Sequence, residues 1–169
     1  MTKYLIDSNS FIVAKNFHYA FDLCPGFWNA ILRHHQSDEV YSIDRIRDEL
    51  LEGNDILVKW VRRKVPTSFF ISSNQSAIVA EYARIMEWVA MNYSRPTAVS
   101  SFAAKADGWI IATAKVGGFT IVCEEVFDAL QQKRVPNPNV CHQFGVPYCT
   151  GVNMLRSLQV KFGLRKLPA

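Results

Sequence analysis

The chain has 169 residues, 49% hydrophobic and 20% charged, with a mean hydropathy of +0.01. That balance suits one globular domain over 1–169 with a sizeable core, and excludes a disordered or collagen-like protein. Nineteen Lys and Arg against fifteen Asp and Glu leave a formal charge of +4, which permits contact with a phosphate backbone without requiring it.

The elements follow in chain order. Lys3–Ile6 reads as an apolar strand buried on both faces, the pattern of a central parallel strand. Ser10–Asn16 gives one or two helical turns. Phe17–Gly26 is an aromatic loop ending in Pro25-Gly26. Phe27–His35 has helical spacing, and Glu39–Ile43 is a second strand. Asp44–Leu51 is a helix with Ile46 and Leu50 on one face, and Asp55 caps the next, which runs to about Lys64. Phe69–Ile71 is a short strand. Gln75–Asn92 is the clearest amphipathic helix, Arg95-Pro96 ends it, and Thr97 caps a helix to about Ala104. Ala106–Val116 is a helix closed by Gly117-Gly118, and Phe119–Cys123 is another buried strand. From Val135 the prolines and asparagines predict an irregular segment, and Val152–Phe162 a last helix. Short apolar strands alternating with helices predict a three-layer α/β/α fold around a mostly parallel sheet of four or five strands.

No apolar run reaches the length of a membrane-spanning helix, about 18 residues, so no membrane contact is expected. Met1–Ser10 lacks the charged head, long apolar run and cleavage site of a signal peptide, so the expected address is the cytoplasm. Cys24, Cys123, Cys141 and Cys149 are widely spread and are expected as free thiols. Trp28, Trp60, Trp88 and Trp109 are expected in the core, and Arg62, Arg63 and Lys64 at a solvated helix end.

The informative feature is where the acids fall. Asp7 follows the first strand, Glu49 lies inside a helix, Asp107 opens one, and Glu124 and Glu125 follow the late strand. Ligands of open parallel sheets bind at the carboxyl ends of the strands. Carboxylates gathered there repel one another unless a cation offsets them, and hard oxygen donors suit Mg²⁺ or Mn²⁺. Small neighbours, Ala106 and Gly108, are expected to leave room around the Asp107 carboxylate.

The order YLIDSNSFI, SIDRIRDELLEGND, KADGWIIATA, FTIVCEE resembles that of the PIN-domain nucleases over the first 130 residues. The aromatic loop FHYAFDLCPGFW and the tail VPNPNVCHQFGVPYC resemble a PIN-like subfamily of bacterial proteins often placed among toxin–antitoxin toxins, with 135–169 as its C-terminal extension. The resemblance implies a Mg²⁺- or Mn²⁺-dependent endoribonuclease with Asp7, Glu49 and Asp107 as the acidic triad, and Asn9 ordering the turn after the first strand or bonding to Asp7. Cys123 stands where the family has Thr, which makes Glu125 the fourth acid; a one-residue change of register exchanges it with Glu124. The implied partners are an RNA substrate, a protein antitoxin and a second copy of the chain as a homodimer. A nuclease acting on DNA and a catalytically silent module that binds RNA or protein remain as alternatives. A haloacid-dehalogenase phosphatase is disfavoured, because Asn9 stands where its second acid is needed.

Overall fold

The structure, a computed structural model, describes residues 2–163. Residues 164–169 of the expected C-terminal extension lie outside them. The fold is three-layer α/β/α, built on a five-stranded, all-parallel sheet of order β3-β2-β1-β4-β5. The strands are β1 (Tyr4–Ile6), β2 (Val40–Ile43), β3 (Phe70–Ile71), β4 (Thr120–Val122) and β5 (Tyr148–Cys149). The helices are α1 (Ser8–Val13), α2 (Pro25–Gln36), α3 (Asp44–Leu51), α4 (Ile56–Lys64), α5 (Ser76–Asn92), α6 (Pro96–Ala103), α7 (Asp107–Gly117), α8 (Asn137–Phe144) and α9 (Gly151–Ser157). Among the described residues no helix is long and apolar enough to cross a membrane.

β1 is the central strand, and Tyr4, Leu5 and Ile6 are all buried, as a strand covered on both faces must be. The chain runs from β1 outward through β2 to β3, then returns to lay β4 against the other side of β1. The strand order therefore reverses between β1 and β4. Ile6 pairs in register with Val122, so the two strands end level with one another. Such a reversal opens a crevice at the carboxyl ends.

The aromatic loop becomes a wall of the core. Phe21 stacks on Trp28 at 3.9 Å, and Trp28 meets Trp60 edge-on at 4.9 Å. The Trp28 indole N–H donates to the Tyr19 carbonyl at 2.8 Å, which satisfies its one polar atom. Trp88 and Trp109 are half-buried against the core, and Arg62, Arg63 and Lys64 are exposed.

Several expectations need correction, and proline explains most of them. Pro25 and Pro96 open helices at the first position instead of ending a loop or a helix; the missing N–H costs nothing there. Likewise Pro136 is the N-cap of α8 and Pro138 lies in its first turn, so the segment from Val135 is ordered. It contributes α8, buried through Val140 and Cys141, and β5, paired with β4. The last helix stops at Ser157, short of Phe162. Gly118 (φ 70°) and Gly145 (φ 63°) end α7 and α8 in the left-handed conformation that glycine adopts without strain.

Candidate active site

The crevice between the ends of β1 and β4 opens into a cleft of about 740 Å³. Asp7, Glu49, Asp107 and Glu125 all line it. They arrive on different elements, and each accepts a hydrogen bond that holds it in place.

Asp7 leaves the end of β1, and its N–H donates to the Val122 carbonyl at 3.2 Å, which ties the two strand ends together. Its side chain is the N-cap of α1, accepting from the Ser10 N–H at 2.7 Å. The Ser10 hydroxyl in turn donates to the Val122 carbonyl at 3.0 Å. Ser10 thus orders this turn, the part expected of Asn9, which sits exposed on the cleft wall. Asp7 is 3% exposed. Burial pushes its pKa up to about 7 against the pull of the Ser10 N–H, and the charges of Asp107 and Glu125 add to the rise.

Glu49 rides on α3 beside the buried Ile46 and Leu50. Its Oε1 accepts from the Ala106 N–H at 2.7 Å, one residue before Asp107. Asp107 begins α7, where the positive pole of the helix favours a carboxylate. Its Oδ1 accepts from the Asn137 side-chain amide at 3.0 Å. Burial raises its pKa, opposed by Asn137 and Lys105 and reinforced by Glu125 and Glu49. The room around it is not what Gly108 provides. A Cβ on Gly108 would stand 2.8 Å from Tyr82 Cε2 and 3.1 Å from Phe102 Cε1, so the glycine serves the close packing of α7 on α5 and α6.

The two candidates for the fourth acid separate. Successive residues leaving a strand turn to opposite sides. Glu125 turns to the cleft, where its Oε2 accepts from the Asn137 N–H at 2.7 Å and its Oε1 pairs with Arg134. Glu124 turns away. Its Oε1 accepts from the Gly151 N–H at 2.8 Å at the start of α9, beside a separate cavity of about 50 Å³.

The cleft is acidic in a chain that is net basic. Asp7, Glu49, Glu52, Asp55, Asp107 and Glu125 face Lys15, Lys105 and Arg134, and two of those cations are already paired, Lys15 with Asp55 and Arg134 with Glu125. Among the described residues, no three His, Cys, Asp or Glu side chains close on a point as a finished metal shell. The donor chemistry nevertheless fits a hard divalent cation. The donors are oxygens in negative excess, and Asn137 Oδ1 is buried with no hydrogen-bond partner among the described residues. Mg²⁺ needs few direct protein ligands and retains water, so spaced carboxylates suit it.

Asn137, Arg134, Lys15 and Lys105 are among the cleft residues that sequence reasoning missed. The one available signal was the Pro136-Asn137-Pro138 run, which fits a helix start as well as a break. The chain matches no curated protein. The family described as a domain of unknown function (DUF4411) matches residues 4–162, and the chain belongs to that family.

Proposed function

We propose that this protein is a Mg²⁺- or Mn²⁺-dependent endoribonuclease of the PIN-like kind, acting as a toxin held in check by a separate antitoxin protein. One observation carries the nuclease reading. The cleft at the strand-order reversal collects Asp7, Glu49, Asp107 and Glu125, the acids that the motif order had singled out, from four separate parts of the chain. The toxin role rests on the sequence resemblance.

In this reading Asp7, Glu49, Asp107 and Glu125 would hold the cation. When bound, it would neutralise charge developing on a scissile phosphodiester and make a nearby water more acidic. The protein's own part is to orient. The Ser10 N–H fixes Asp7, the Ala106 N–H fixes Glu49, and Asn137 fixes Asp107 and Glu125. Lys105, in the cleft wall, would meet a phosphate of the bound strand.

The test is cleavage of a short labelled RNA by the whole chain with Mn²⁺, with Mg²⁺ and with chelator, beside a DNA strand of the same sequence. Cleavage of the RNA should need the metal and should disappear in Asp7→Asn and in Asp107→Asn, with both variants folded. Cleavage at the parent rate by both variants, or in chelator, would sink the reading. A parent that cleaves nothing and binds Mn²⁺ weakly would be a silent module, and preference for the DNA would make it a different nuclease.

A further inference from the structure

Asn137 is the first residue of α8 and only 2% exposed, yet it borders the acidic cleft. Its groups are used unevenly. The backbone N–H donates to Glu125 Oε2 at 2.7 Å, and the side-chain NH₂ donates to Asp107 Oδ1 at 3.0 Å. The side-chain Oδ1 is buried and has no partner among the described residues. A buried amide oxygen without a donor is unusual in a folded protein and points to an ion or an ordered water beside it. Hard divalent cations do take amide carbonyl oxygens alongside carboxylates.

We propose that Asn137 is the neutral oxygen ligand of the cation site, with its Oδ1 given to the cation or to a water in its shell, while its two N–H groups hold Asp107 and Glu125 in place. The proposal rests on the metal-dependent reading of the cleft and adds a ligand contributed by the chain beyond β4. It also gives α8 a task in the site. The helix that packs on α7 carries the residue that braces the first residue of α7.

The test is a titration of the whole chain with Mn²⁺ alone, followed by the electron paramagnetic resonance signal of the free ion, together with thermal melting of the metal-free protein. Asn137→Ala should weaken Mn²⁺ binding at least tenfold with an unchanged circular dichroism spectrum. Asn137→Asp keeps an oxygen at the same place and loses the NH₂ donor. It should bind Mn²⁺ at least as tightly as the parent while its metal-free form melts at a lower temperature, because the introduced carboxylate would then repel Asp107. Parent-like binding by Asn137→Ala overturns the proposal alone. Binding by Asn137→Asp that is lost along with its stability does the same, and decides the matter even if Asn137→Ala does not fold. A parent that fails to bind Mn²⁺ overturns both this proposal and the nuclease reading.

Discussion

Glu49 Oε1 accepts a hydrogen bond from the Ala106 N–H at 2.7 Å, so a side chain on α3 caps the start of α7 just before Asp107. On the proposed nuclease reading the same carboxylate has two duties, one structural and one electrostatic. Glutamine keeps the acceptor and loses the charge. Glu49→Gln should fall within about 0.5 kcal/mol of the parent in stability yet lose most Mn²⁺-dependent RNA cleavage, whereas Glu49→Ala should lose the same activity and about 1–2 kcal/mol of stability as well. Urea melts beside cleavage assays separate the two; full activity in Glu49→Gln would confine Glu49 to capping.

Glu124 and Glu125 make a matched pair of controls. Glu125 faces the cleft between Arg134 and Asn137, and Glu124 anchors the start of α9 through Gly151. Glu125→Gln should remove most cleavage with little change in melting. Glu124→Gln keeps the acceptor for the Gly151 N–H and should retain cleavage within a few fold, with stability within about 0.5 kcal/mol of the parent. The reverse pattern would move the fourth acid to Glu124.

The sequence was most readable where burial dictates composition. β1 and β4 are covered on both faces, so Tyr4–Ile6 and Ile121–Val122 had to be apolar. β5 has only Tyr148 and Cys149 on a sheet edge after Pro147, too little for a periodic signal. α8 was hidden because proline reads as a breaker and only the completed helix shows Pro136 and Pro138 at its start. In the site, the acids could be found because each abuts a recognisable element. Whether Glu124 or Glu125 faced the cleft depended on the chain's direction as it leaves β4, which composition does not encode. The bond from Asn137 to Asp107 was invisible for another reason: it joins residues 30 apart, and the proline run marks at most a helix start.

Gly108 tests the packing that sets Asp107 in place. A methyl group there meets the rings of Tyr82 and Phe102, and Tyr82 is itself stacked on Trp109 at 3.7 Å, with the Arg45 guanidinium 3.8 Å from the Trp109 ring. Tyr82 cannot retreat without disturbing that stack. Gly108→Ala should therefore destabilise the fold by roughly 1–3 kcal/mol despite the higher helix propensity of alanine. Denaturant melts decide it, and a variant as stable as the parent would mean that α5 and α7 pack more loosely than these distances require.

Burial of Asp7 makes the metal-free protein sensitive to pH. In the unfolded chain its carboxyl loses its proton near pH 4, whereas in the fold it keeps it until about pH 7. Between those values the native state holds more protons than the unfolded state, so stability falls as pH rises. The contribution is complete below about pH 4 and is lost on passing through about pH 7, a swing of roughly 2–4 kcal/mol. Asp107 is shifted in the same direction. Other carboxylates also titrate, so the measurement is the difference between the parent and Asp7→Asn, whose amide carries no charge at any pH. In chelator, Asp7→Asn should gain stability relative to the parent from pH 5 to about pH 7 and level off towards pH 8. Mn²⁺ should act oppositely, raising the parent's melting temperature more as the pH increases, because the deprotonated carboxylate is the form that attracts a cation. Two chelator curves running parallel over that range would show that Asp7 ionises in the fold as freely as in the unfolded chain, and the charge-crowded cleft would lose its central member.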